Sequence, residues 1–312
     1  MKVFWEDSSG SAPPDDAIFS YCPFIGTKPK PFGALTRIKK LPKAKRYKVQ
    51  SGSFSPSKEE WVQLVKKTKN EKISKVVLAR CCTLECEEAP NPFAVLASLQ
   101  KKGKNGTLFC FSDEKKAFLG ASPEILFSRK RNEIELEAVA GTCLLHEDRN
   151  KFLNSKKDLS EIEPVITYLI DTLIPLSKSP PQFTTIGVKE TPNLLHLHSK
   201  GKATLKKGID RDVIEKIHPT PALCGLPKTR AMDWIERHEP FERGLYGGTL
   251  GWSTKSESNW IVAIRCCEIE GKTVKLYTGA GIVPLSDPEK EWEELNNKMA
   301  LFEDIFESNL DH

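Results

Sequence analysis

The sequence predicts an α+β fold built mostly on antiparallel sheets. Two observations carry that prediction: strand patterns arrive in hairpin-linked blocks, and strongly amphipathic helices fall between the blocks. A third supports it by exclusion, since no internal repeat is visible anywhere along the 312 residues.

Taken in order, Ser57-Lys58-Glu59-Glu60 has the S-x-x-E form of a capping box, with Trp61, Leu64 and Val65 following at helical spacing. That helix runs to about Asn70 and delivers the chain into a strand over 74–84, KVVLAR in its first half, with Lys75 at its entrance. Asn91 and Pro92 have the form of an N-cap and first helical residue, opening a short helix that stops near Gly103. From 107 to 142 the pattern is all strand: TLFCFS, AFLGASPEILFSR and EIELEAVAGT, separated by the turn signals DEKK and KRN. Leu159, Ile162, Val165, Ile166, Leu169, Ile170 and Leu173 then recur at 3.6-residue spacing and predict a helix over 156–176. Pro164 is compatible with it if it lies in the first turns, where N–H groups lack partners anyway. Segments 182–190 and 193–206 form a strand pair, and helices follow near 210–217 and 228–238, with HPTPALCGLPK between them. Strands over 245–254, 259–270 and 273–283 lead to a closing helix from 287 to about 309.

Hydrophobic content of 39% and charged content of 29% are those of a soluble globular chain. No apolar run reaches the roughly 18 residues of a membrane helix, and the N-terminus turns acidic after five residues, unlike a signal peptide. A cytoplasmic protein is the expectation. The net charge of +5 is local in origin: residues 28–48 hold nine Lys or Arg and no acid, and without them 38 bases face 42 acids. That segment points to a solvated, Pro-broken surface stretch; nucleic acid is the alternative partner, disfavoured because Phe32 and Tyr47 are its only aromatics. The nine cysteines contain no C-x-x-C pair, and two vicinal pairs (Cys81-Cys82 and Cys266-Cys267) sit in strand-like runs, which predicts reduced thiols used as small core residues.

Candidate chemistry gathers on two helices. In PEKEWEELNNKMALF, Glu291, Glu294 and Lys298 share one face, with Asp287 as N-cap and Pro288 behind it. In SKKDLSEIEPV, Asp158 and Glu161 are three apart. Either these acids are solvated salt-bridge faces, or the two helices meet around a hard cation such as Mg²⁺, which takes a few carboxylates plus water and an anionic substrate. Gly279 and Gly281 after a strand, and Gly247-Gly248 after Tyr246, are either plain turns or places of close ligand approach. Arg265 lies in WIVAIRCCEI, a run too apolar to carry a guanidinium without a planar partner, be it a ligand carboxylate or a structural acid.

The pieces KVVLAR, GASPEILF, AVAGT, SKKDLSEIE, HPTPALCG, FERGLYGGTLGW, IVAIRC and YTGAGIVPLSDPEKEWEELNNK, in this order, resemble the chorismate-utilising enzymes, and the match runs from about residue 50 to 305. The resemblance implies one large α+β domain over 51–312, two extended antiparallel sheets with helices outside, as in anthranilate synthase component I. Residues 1–50 are then a basic, Pro-containing segment packed on or extending it. It also implies Mg²⁺ and chorismate. Glu161 and Glu294 match the family's metal-ligand positions, with Glu291 and Asp158 as nearby acids; Arg265, Tyr246 and Gly279 match positions that bind the enolpyruvyl carboxylate, Lys298 lies near the ring carboxylate, and His218 and Thr142 line the same site. One departure is Ile162, where the family often has histidine.

Within the family, Lys75 matches the lysine that acts as general base in members adding water at ring carbon C2, a position that resembles glutamine in anthranilate synthases. Ala140 stands where aminodeoxychorismate synthases carry a nucleophilic lysine, and Glu124 matches the acid that protonates the departing C4 hydroxyl. The implied activity is Mg-dependent conversion of chorismate to isochorismate, serving menaquinone or siderophore biosynthesis. Salicylate synthase is the alternative, then anthranilate or aminodeoxychorismate synthase component I; HPTPALCG favours the isochorismate synthases. No nucleic acid, membrane or glutaminase subunit is expected, and the assembly is a monomer or homodimer.

Overall fold

The computed structural model describes residues 1–69, 72–102, 106–191 and 194–307. The chain passes repeatedly between two sheets. β1 (Lys2–Glu6) enters the first, β2 (Ile18–Cys22) and β3 (Lys30–Pro31) join the second, and β4 (Thr36–Arg37) returns beside β1. β5 (Tyr47–Ser55) and β6 (Lys75–Cys86) follow in the first sheet, joined through α1 (Lys58–Thr68). After α2 (Pro92–Lys101), β7 (Thr107–Ser112) and β8 (Lys116–Ser122) stay in that sheet, and β9 (Ile125–Lys130) and β10 (Glu133–Leu144) cross to the second. Helices α3 (Arg149–Leu153) and α4 (Lys156–Leu173) precede β11 (Gln182–Phe183), β12 (Gly187–Glu190) and β13 (Leu194–Thr204) of the second sheet. Next come α5 (Asp210–Ile217), β14 (Gly225–Leu226) against β6, and α6 (Lys228–His238). β15 (Thr249–Ser253) and β16 (Glu257–Val262) belong to the second sheet; β17 (Cys266–Glu270) and β18 (Thr273–Ile282) cross back to the first, before α7 (Pro288–Met299) and β19 (Phe306–Glu307).

The fold is thus α+β with two mostly antiparallel sheets; among the described residues only β1–β4 and β5–β19 pair in parallel. Apolar side chains from both sheets, among them Trp5, Phe109, Leu250 and Ile261, close the space between them. The outer face of the first sheet packs on α2 and the C-terminal turns. The vicinal cysteines follow the pleat: Cys81 and Cys266 face the space between the sheets, and Cys82 and Cys267 face the outer layer. All nine cysteines are free.

Local chemistry accounts for the helix starts. Ser57 Oγ accepts from Glu60 N while the Glu60 carboxylate accepts from Ser57 N, the reciprocal capping box. Asn91 caps α2 with Pro92 at its first position, and Asp287 caps α7 ahead of Pro288.

The structure differs from the sequence expectations in several places, the first being AFLGASPEILFSR, which is two strands, β8 and β9, on different sheets, with the crossing at Pro123 and Glu124. The 259–270 run is two strands, broken at Arg265, whose φ of 51° lies in the left-handed region. The break is the crossing between sheets, so a continuous apolar pattern concealed a change of layer. Pro164 sits in the middle of α4, not in its first turns; its ring leaves the Ser160 carbonyl without a helical N–H donor. α4 ends at Leu173 and tightens into a 3₁₀ turn over Ile174–Leu176. The last helix ends at Met299, because Phe306 and Glu307 are drawn into pairing with Tyr47 and Lys48. Asn70 and Gly103, the expected helix stops, lie outside the described residues. Residues 1–50, in which the sequence patterns single out no strand, contribute strands to both sheets. Within the basic segment Arg37 donates to the Pro13 and Pro14 carbonyls, and Lys45 pairs with Glu88 at 2.7 Å.

Candidate active site

Two of the crossings between the sheets place candidate side chains in the space between them. Glu124 lies between β8 and β9, and Arg265 between β16 and β17. Both line one cavity together with Lys75, Thr142, Glu161, Tyr246, Gly279, Glu294 and Lys298. Nine of the twelve candidate residues are thereby brought together. Asp158 lines an adjoining cavity that shares Thr142 and Glu294 with the first, and Glu291 is buried beside it under Lys157. His218 lines neither; its Nε2–H donates to the Pro23 carbonyl at 2.9 Å, and burial pushes its imidazole down to about 4, so it stands as a neutral strut.

Lys75 opens β6 and is 3% exposed. Its Nζ donates to the Glu161 carbonyl at 3.2 Å and lies 3.7 Å from the Glu161 carboxylate. Burial lowers its pKa, against the pull of Glu161, and Lys298 lowers it further. The close approach requires Gly281 on the paired strand β18: a Cβ there would stand 2.6 Å from Glu161 Oε2 and 3.1 Å from Lys75 Cε. Gly279 does the same for Tyr246, whose hydroxyl would be 2.5 Å from an added Cβ.

Burial pushes the Glu124 carboxyl up to about 8, with Lys189 drawing it down and Glu137 pushing it up. Among the described residues the Arg265 guanidinium has no hydrogen-bond or ion-pair partner, and burial pulls it down to about 10. A desolvated guanidinium without a protein anion is a receptor for a planar anion such as a carboxylate. Lys298 donates to the Gly279 carbonyl at 2.7 Å and to Glu294, one turn before it on α7. Burial works to raise the Glu294 carboxyl, but Lys298 and Lys157 outweigh it and hold it below the usual range.

The acids fit a magnesium ion of the kind held by one or two carboxylates, water and a substrate anion. Glu161 and Glu294 both face the cavity, and burial raises the Glu161 carboxyl even against Lys75 and Lys157. A cation already stands among these acids: the Lys157 ammonium lies 3.0 Å from Glu291 and 3.4 Å from Glu161. Among the described residues no three acidic, imidazole or thiol side chains converge on one point, so water and substrate would complete the shell.

Three cavity or site residues went unnoticed in the sequence. His196 lines the cavity, its Nδ1–H donating to the Gly141 carbonyl at 3.2 Å, its Nε2 buried without a partner, its pKa pushed down to about 3 by burial. Lys189 also lines it, and Lys157 bridges the acids. Only Lys157 carried a signal, four residues before Glu161 on a predicted helix; the other two lie on strands whose facing is set by pairing.

The chain belongs to the chorismate-binding enzymes, a family whose model, described as a chorismate binding enzyme, matches residues 33–306. It is similar to isochorismate synthase MenF of Escherichia coli, 34% identical over 261 residues, covering 78% of this chain and 59% of that protein. The chloroplastic isochorismate synthase 2 of Arabidopsis thaliana is 32% identical over 269 residues, 83% of this chain and 48% of that protein. The solved structure of MenF, the menaquinone-specific isochorismate synthase from Escherichia coli, superposes with a TM-score of 0.81 at 28% identity over 92% of this chain and 78% of that one. Anthranilate synthase component I of Streptococcus pneumoniae shares the fold, with a TM-score of 0.73 at 23% identity over 85% of this chain and 61% of that one. The chain spans 59% and 65% of the length of the MenF proteins of Escherichia coli and Haemophilus influenzae.

Proposed function

We propose that this chain is an isochorismate synthase, a hydroxymutase that converts chorismate to isochorismate by adding water at C2 and releasing the C4 hydroxyl. The observation that carries the reading is the pairing, in one cavity, of a buried lysine whose pKa is lowered with a buried carboxyl held up to about 8. Two such groups are a base and an acid poised for one reaction near neutral pH. Neutral Lys75 takes a proton from water as its oxygen bonds to C2. The ring double bonds shift, the C4–O bond breaks, and protonated Glu124 delivers its proton so that the hydroxyl departs as water. The new Lys75 ammonium has the Glu161 carboxylate 3.7 Å away. Arg265 and Lys298 are the receptors for the two substrate carboxylates, and Tyr246 orients one of them. Glu161 and Glu294 would hold Mg²⁺, which supplies positive charge to a substrate carboxylate, with Glu291 and Asp158 supporting them. The isochorismate synthases among the relatives support the choice of activity. The free thiols of all nine cysteines support a cytoplasmic setting.

Product analysis with chorismate and Mg²⁺, with and without ammonia, tests the reading. Isochorismate alone, independent of ammonia and lost in Lys75→Ala by about 10²-fold or more, is the expected result. Salicylate with pyruvate would move the chain to the neighbouring activity, and anthranilate or aminodeoxychorismate formed only with ammonia would overturn water as the nucleophile.

A further inference from the structure

Beside the Glu124 acid lies a charged cluster that the reaction as drawn does not use. Lys189, on β12, donates from Nζ to the Pro123 carbonyl at 2.7 Å and to Glu137 Oε2 at 2.6 Å. Glu137, on β10, has its other oxygen 3.3 Å from His198 Nε2. Pro123 and Glu124 share a peptide bond, so the lysine grips the turn that carries the acid. From the other side that turn is held by the second sheet: Ser122 Oγ donates to the Val262 carbonyl at 2.6 Å, and Val262 N donates to the Glu124 carbonyl at 3.1 Å. Lys189 and Glu124 line the same cavity.

We propose that Lys189 is a positioning residue for the Glu124 acid: its ammonium ties the Pro123 carbonyl to the Glu137 carboxylate and presents a fixed positive charge to the acid. The proposal rests on the assignment of Glu124 as the proton donor. The groups facing Glu124 are Lys189 from β12, Glu137 from β10, Lys75 from β6 and Lys298 from α7. Among the charged ones Lys189 does most to draw the acid's pKa down, and Glu137 pushes it up. Burial works against the Glu137 anion, but His198 and Lys189 outweigh it and hold its carboxyl down to about 2. Glu137 therefore stays ionised at working pH and holds the lysine in place.

The two partners act on Glu124 with opposite signs, which a merely structural pair would not do. In Lys189→Met the positive charge is lost and the Glu137 anion remains, so the alkaline limb of kcat moves to higher pH, by about one unit. In Glu137→Gln the lysine stands uncompensated and the limb moves down. Limbs that stay in place, or that move in the same direction, overturn the proposal. Lys189→Arg, which keeps charge and donors, retains the wild-type limb. The Glu124→Gln variant separates the two claims. An alkaline limb that persists there means that Glu124 is not the acid. A limb that vanishes there but does not move in the other two variants means that only the role of Lys189 fails. Infrared titration of the Glu124 carboxyl stretch, with Glu124→Gln as the subtraction reference, reads the same opposite shifts without turnover, so a folded but slow variant still decides the matter.

Discussion

Glu124 is 6% exposed and protonated in the folded protein up to about pH 8, whereas an unfolded chain releases that proton near the ordinary carboxyl value of about 4.3. Between those limits the folded state binds the extra proton. Stability contributed by this group is therefore complete below the unfolded value and is lost as pH rises through the folded one, by about 1.4 kcal/mol per unit. Glutamine at this position has no such proton to lose. Urea midpoints measured from pH 5 to 9 are expected to show Glu124→Gln gaining on the wild type up to about pH 8 and then holding its lead. A constant difference across the range would mean that the carboxyl titrates normally. The same burial that costs stability at high pH keeps the carboxyl protonated at neutral pH, so one desolvation accounts for both.

At the scale of elements, the site depends on β18 lying close against β6. Ten residues of β18 pair in register with β6, and Gly279 and Gly281 fall opposite Ala79 and Val77. Alternation puts both glycines on the face where Tyr246, Lys75 and Glu161 converge. Gly281→Ala leaves the backbone pairing possible but drives a methyl into Glu161 and the Lys75 stem. The expected outcome is a fall in kcat/KM of about 10–100-fold with the circular dichroism spectrum retained. Unchanged kinetics would show that the Lys75–Glu161 arrangement is not needed in this form. Helix α7 contributes in a different way: Trp292 is buried, the central carbon of the Arg80 guanidinium lies over its ring, 4.2 Å from the centroid, and Arg80 donates to Asn296 Oδ1 at 2.8 Å. That packing fixes the rotation of the helix that carries Glu294 and Lys298.

At the scale of the whole molecule, the first 50 residues are woven into both sheets. β1 pairs with β7 along all five of its residues, and β2 pairs with β15 along all five of its own. We propose that this segment extends the main domain and unfolds with it. Deletion of residues 1–24 would remove β1 and β2, the strands next to one edge of each sheet, and bare Phe109, Phe111 and Leu250. The expected result is an insoluble or molten product, seen as loss of the near-ultraviolet circular dichroism signal. A truncated chain with a native spectrum and a sharp thermal transition would mean that the segment is an appendage.

Residue order alone determined the helices with strong caps, the block pattern of the strands and the family, because capping chemistry, hydrophobic period and motif order are local or colinear properties. It did not separate β16 from β17, since an apolar run looks the same on one sheet as on two. It did not reveal the strands of residues 1–50, whose partners lie more than 80 residues away in the case of β7 and more than 200 in the case of β15. Nor did it bring Lys189 and His196 to the cavity, or keep His218 out of it. Which way a side chain faces on a strand is set by register, and register by long-range pairing. The tertiary structure decided those positions, and with them the desolvation that lowers the pKa of Lys75 and raises that of Glu124.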